Sequence, residues 1–170
     1  MKFSQNAQVD IRPARLADAS RIAELFVQLD YPAAAAGLQA RLQLQLADPG
    51  TEVLVAQDGG DLVGVLVMHV LAPLHVAQPW AVISALVVDD QRRSLGAGAA
   101  LVAGAQQAAL ARDCAHMELS CSERRTRAHD FYSGLGFVEV RKRFKKPLGT
   151  LPPPCACGAD SGAARTLPAP

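Results

Sequence analysis

Much is missing from this chain of 170 residues, and each absence narrows its function. An excess of charge of one sign is absent: the formal net charge is +1. That gives no general electrostatic case for nucleic acid or an anionic membrane surface. Long apolar runs are absent. The longest apolar patch, residues 62–74, is broken by Gly64, His69 and Pro73, well short of the ~20 residues a spanning helix needs. The opening MKFSQNAQVDIRPARL lacks the apolar centre of a secretory signal. The four cysteines make no disulfide framework in a chain this size. Cys155 and Cys157 lack a second ligand pair, so no metal is expected. Cys114 and Cys121 read as small core residues. No internal repeat is visible. The expectation is a cytoplasmic protein with no nucleic-acid or membrane partner.

The composition that remains suits a packed core: 50% apolar and 19% charged. A first strand is predicted at residues 9–12. Ile22, Leu25, Phe26 and Leu29 recur at helical spacing, so residues 18–29 form an amphipathic helix with Asp18 as its N-cap or first-turn acid. Leu38, Leu42 and Leu46 mark a second helix, ended by Asp48-Pro49-Gly50. Residues 52–57 and 61–69 flank Asp58-Gly59-Gly60 as a hairpin. Residues 71–79 form a loop, 80–88 a strand, 96–112 a helix, 116–122 a strand and 126–134 a short helix. Residues 137–140 and 143–146 are the last predicted strands. The order β-α-α-β-β-β-α-β-α-β suits an α/β fold, a mixed sheet with helices on both faces. The domain spans residues 1–148, and residues 149–170 are a Pro/Gly/Ala-rich tail expected to be disordered.

The most informative stretch is residues 86–112, LVVDDQRRSLGAGAALVAGAQQAALAR. An apolar strand enters a polar loop and then Arg93-Ser94-Leu95-Gly96-Ala97-Gly98 opens an alanine-rich helix. A helix N-terminus leaves N–H groups unpaired and attracts phosphate. Glycines let the backbone approach the anion closely. No lysine follows them, which excludes a P-loop. A dinucleotide turn needs Gly or Ala where Leu101 stands. Downstream lies Ala128-His129-Asp130-Phe131-Tyr132-Ser133-Gly134-Leu135-Gly136-Phe137.

With both motifs in view, V-V-x-x-x-x-R-x-x-G-x-G and then A-x-x-F-Y-x-x-L-G-F, residues 9–148 resemble the GNAT-superfamily N-acetyltransferases. The resemblance implies acetyl-CoA as cosubstrate, with its pyrophosphate on Arg93, Ser94, Leu95, Gly96, Ala97, Gly98 and Ala99. Leu86, Val87 and Val88 would pair with the pantetheine arm, and the Val87–Val88 backbone would stabilise the oxyanion. Tyr132 holds the family position of the general acid. The acceptor implied is a primary amine of a small molecule or protein, and homodimers are an assembly the family allows.

A lysine-like amine is neutral about once in 10³ molecules at pH 7, so a base is needed. Ser84 stands near the place where many family members carry Glu; serine is no strong base but can hold a water. Glu118 on the next strand is the other candidate. Glu24 and Asp30 can steer a cation or simply be solvated. Arg92, Arg124, Arg125 and Arg127 lie near the expected phosphates or on solvated faces. His129 sits one turn before Tyr132. His69 and His75 have no ligand-like neighbours in sequence. The basic run at residues 141–146 reads as a solvated edge. Two other functions stay open: a CoA-sensing module without transfer activity, and a dinucleotide-dependent oxidoreductase.

Overall fold

Hairpin chemistry and alternating burial organise the sheet of this computed structural model, which describes residues 9–29 and 37–140. The chain divides into one unit of residues 1–138 and another of residues 139–170; of the second, only Glu139 and Val140 are described. Asp30, the basic run, the predicted strand at 143–146 and the tail lie outside the described residues.

Five strands lie in sequence order: β1 (Asp10–Pro13), β2 (Thr51–Asp58), β3 (Asp61–Leu71), β4 (Trp80–Val88) and β5 (Met117–Leu119). The first four pair antiparallel, and β4 pairs parallel with β5. Gly59 and Gly60 adopt positive φ between β2 and β3, as a tight hairpin demands. The long β3 and β4 are buried on both faces because helices cover both. On one face, α3 (Ala97–Leu110) packs Leu101, Val102, Ala105 and Ala109 onto Leu54, Leu66, Met68 and Ile83. Its small residues let the helix lie close to the strands. On the other face, α1 (Ala19–Val27) and α2 (Leu38–Ala47) set Ile22, Leu25, Leu38 and Leu42 against Val53, Val55, Val65 and Val87. Each large side chain so buried stabilises the fold by about 1.5–3 kcal/mol. Helix α4 (Thr126–Gly134) follows β5.

The mixed sheet with helices on both faces is as expected. Two local expectations are corrected. Among the described residues, the strand predicted at 116–122 pairs only over Met117–Leu119, where its partner is Ala81–Ile83. Residues 137–140 form no strand, and Val138 and Val140 are 76% and 72% exposed. Asp18 stands at the N-cap position of α1, as expected, but makes no side-chain cap hydrogen bond there. Its carboxylate instead takes Arg12 Nη1 at 2.8 Å and the Arg15 N–H at 2.7 Å.

Candidate active site

The loop after β4 is held from below. Residues Asp90–Leu95 form a 3-10 turn and Gly96, at φ +73°, switches the chain into α3. That left-handed conformation costs an L-residue about 1–2 kcal/mol, which explains glycine there. A helix leaves its first N–H groups without internal acceptors; in α3 these belong to Ala97, Gly98 and Ala99. Ala97 is fully buried. Gly98 lies under the next helix: a Cβ there would meet Phe131 Cζ at 3.2 Å. The backbone of Arg93, Ser94 and Leu95 lies in the 3-10 turn, while their side chains lie outside the described residues. Arg92 does not face the helix end. Its guanidinium donates to Asp58 Oδ2 at 2.9 Å and tethers the loop to the β2–β3 turn.

Beside that loop, β4 loses one neighbour. It pairs with β5 only through Ile83. From Ala85 through Leu86, Val87 and Val88 it keeps β3 as its partner, and β5 has ended. The strands part where an extended amide chain would need a free edge. A bulge lies at the same point: Met68 pairs with Ile83 and Val67 with Ala85, so Ser84 is the extra residue. Bulges re-aim side chains, and Ser84 and Ala85 both line a cavity of about 280 Å³ under α1 and α2. Ile22, Phe26, Leu42 and Val67 supply its apolar wall, and Arg41, Gln45 and His69 its polar part.

Ser84 is not isolated there. Its Oγ lies 2.9 Å from His69 Nε2. His69 Nδ1 lies 3.0 Å from Thr51 Oγ1, which donates to Asp48 Oδ2 at 2.7 Å. Strand register makes the meeting, because Thr51 on β2 pairs with His69 on β3. Glu118, in register with Val82 on β4, engages His116 Nε2 at 3.1 Å. His116 in turn stacks on Trp80 at 5.7 Å.

Tyr132 lies on α4, half-buried, with its ring edge-on to Phe131 at 5.2 Å and Phe137 at 5.7 Å. Burial pushes its phenol above the usual tyrosine range, so it stays protonated at neutral pH. Phe131 connects α4 to Gly98. His129 has a local job: its Nε2–H donates to Ser122 O at 3.0 Å across the start of α4.

Comparison with known proteins fits this geometry to a family. The profile of the Acetyltransferase (GNAT) family matches residues 17–137. This chain belongs to the GNAT acetyltransferase family. The aminoalkylphosphonate N-acetyltransferase of Salmonella typhimurium is 33% identical over 121 residues, which span 71% of this chain and 76% of that protein. An acetyltransferase candidate from Agrobacterium tumefaciens is 26% identical, with a TM-score of 0.73, over 82% of this chain and 99% of its own. A transcriptional regulator from Bacillus halodurans shares the fold: 24% identity, TM-score 0.75, 83% of this chain and 100% of that one. As a GNAT protein the chain is an acyltransferase that transfers an acetyl group to an amine.

Two groups of this candidate site escape a reading by motif. One is His69, whose partners are distant in sequence. The other is Asp89, buried at the head of the loop between β4 and α3, where it accepts the Gln91 N–H at 3.0 Å and pairs with Arg21 of α1. The Gln91 N–H and then Arg21 hold its carboxyl below the usual range. A depressed carboxyl stabilises the fold above its unfolded value, about 3.9, and the contribution is lost as pH falls through the folded value. Asp89→Asn should therefore cost about 1–2 kcal/mol near pH 7, limited by the partial exposure of Arg21. The deficit should shrink toward pH 3. Thermal unfolding at both pH values checks this; an equal deficit at both would remove the ion pair as its cause.

Proposed function

We propose that this GNAT enzyme takes the acetyl group of acetyl-CoA and delivers it to the primary amine of a small molecule. One observation carries the reading: the edge of β4 left unpaired among the described residues runs between the glycine N-terminus of α3 and the open cavity under α1 and α2. The pyrophosphate sits on Arg93, Ser94, Leu95, Gly96, Ala97, Gly98 and Ala99. The pantetheine arm adds along Leu86, Val87 and Val88 as an extra strand does. The thioester then lies at the mouth of the cavity, and the Val87–Val88 backbone supplies the donor for its developing oxyanion.

The amine enters from the α1–α2 side and attacks the carbonyl carbon. On collapse the C–S bond breaks, Tyr132 gives its proton to the leaving thiolate, and the proton shed by nitrogen passes through solvent to restore the Tyr132 phenol, leaving the neutral amide and CoA thiol. Ser84 stands at the bulge where the amine must pass. Glu118, on the same sheet face, is the alternative base, and Glu118→Gln tests it. The aminoalkylphosphonate in the Salmonella relative's name suits an acceptor with an anion at a distance from its amine, and Arg41 in the cavity wall supports that choice.

Calorimetric titration with acetyl-CoA, with NADH as control, tests the reading. Micromolar binding, roughly −8 kcal/mol, is expected for acetyl-CoA and none for NADH. A primary-amine panel led by 2-aminoethylphosphonate should then release CoA. Folded protein that ignores acetyl-CoA overturns the proposal, and binding without turnover on any amine turns it toward a CoA-sensing role.

A further inference from the structure

The hydrogen-bond chain behind Ser84 has a direction, and counting donors sets it. The Thr51 hydroxyl and the Gly50 N–H both donate to the Asp48 carboxyl and hold it below the usual range. An ionised carboxylate only accepts. The single Thr51 proton therefore goes to Asp48 Oδ2 at 2.7 Å, and toward His69 Nδ1, 3.0 Å away, Thr51 Oγ1 can only accept. Nδ1 then carries the imidazole proton, which leaves Nε2 of neutral His69 as an acceptor. Its partner at 2.9 Å is the Ser84 hydroxyl. The competing acceptor for that proton, Val67 O, is farther at 3.4 Å. With its proton turned inward, exposed Ser84 offers acceptor lone pairs to the cavity.

We propose that His69 is the proton acceptor for the incoming amine, reached through Ser84, with Thr51 and Asp48 as positioning residues. The inference rests on the acetyl-transfer reading and gives it a base other than Glu118. An ammonium N–H bond breaks as its proton passes to Ser84 Oγ. The Ser84 O–H bond breaks as its own proton passes to His69 Nε2. Ammonium becomes neutral amine, imidazole becomes imidazolium, and total charge is unchanged. The imidazolium keeps Nδ1–H on Thr51, and Asp48 opposes its charge through that hydroxyl. The freed lone pair on nitrogen attacks the thioester. Half-buried His69 later returns its proton to solvent.

Other charges bear on this site. Arg41 of α2, in the cavity wall, disfavours the imidazolium. Glu118 on β5 favours it, from one strand beyond Val82, the residue paired with His69. His116 is held by Glu118 and Trp80.

Two measurements on the full chain test the proposal. Imidazole ¹⁵N shifts should show neutral His69 with the proton on Nδ1; the Nε2–H form overturns it. Thr51→Val should lose that preference, and Thr51→Ser should keep it. Kinetics with acetyl-CoA and the active amine of the panel give the second reading. His69→Gln and Ser84→Ala should lower kcat about 10²-fold or more with the Kd for acetyl-CoA unchanged. His69→Gln should also remove the acid limb of the kcat/KM profile, which a structural defect would leave in place. Thr51→Val should fall between, and Thr51→Ser should recover. Wild-type turnover with an intact acid limb in His69→Gln overturns the role of His69 while leaving acetyl transfer standing. A wild-type protein that binds no acetyl-CoA overturns the transfer reading, and this role with it, whatever the tautomer.

Discussion

Gly98→Val should weaken acetyl-CoA binding at least tenfold, about 1.4 kcal/mol, and lower turnover of whatever cofactor still binds. Two effects coincide at this position. A side chain stands where the pyrophosphate must approach the first N–H groups of α3. It also collides with α4, because even a bare Cβ meets Phe131 Cζ at 3.2 Å and Cε2 at 3.5 Å. Valine adds two carbons beyond that point, and overpacking of this kind costs about 1–3 kcal/mol. Phe131 moves, and Tyr132 beside it moves too. Gly96 offers the contrast. Its Cβ would meet nothing within 4 Å, but its φ is +73°. Gly96→Ala should therefore cost about 1–2 kcal/mol of stability through backbone strain alone, while Gly96→Asn, which tolerates that conformation, should cost less. Calorimetry and thermal unfolding of the three variants separate occlusion from strain. Full cofactor affinity in Gly98→Val would move the pyrophosphate off this helix end.

The distinction between these glycines shows what a sequence can and cannot reveal here. The motif names both, because local backbone geometry repeats wherever a phosphate must be approached. Which neighbour each one touches depends on α4, folded back from more than thirty residues away along the chain. Strand β4 and helix α4 match their predicted limits, since Pro79 and Gly134 punctuate them. The strand expected at residues 137–140 is not formed, because a run of apolar residues does not specify a partner to pair with, and none lies among the described residues. The strand expected at residues 116–122 overran β5 for the same reason, with pairing limited to three residues of β4 among the described residues. The candidate relay was invisible for a different reason. Asp48, Thr51, His69 and Ser84 meet only through hairpin register and a one-residue bulge. Periodicity reports neither. Serine alone at the expected position of an acid reads as a missing base; serine hydrogen-bonded to His69 reads as the outer end of one.

Tyr132→Phe is the sharper probe of chemistry, because it deletes one oxygen and keeps the ring that packs edge-on to Phe131 and Phe137. Acetyl-CoA affinity and unfolding temperature should hold, and kcat should fall about 10²-fold, the lower end of general-acid effects. The lower end follows from the proton affinities. A thiol has a pKa near 8.5 and tyrosine near 10, and burial pushes this phenol higher still. Donation to a fully formed thiolate is thus uphill, and a thiolate already leaves tolerably without help. The phenol contributes most while sulfur is gaining charge and the nitrogen is shedding its proton, so the two transfers offset each other. The same shift fixes the pH behaviour: loss of the Tyr132 proton belongs above the ordinary value of about 10, so wild-type kcat should show no Tyr132-dependent fall through the neutral range. An alkaline limb near neutral that persists in Tyr132→Phe would belong to another group. Unchanged kcat in the variant would leave water as the thiolate's proton source and reduce Tyr132 to a ring that docks α4.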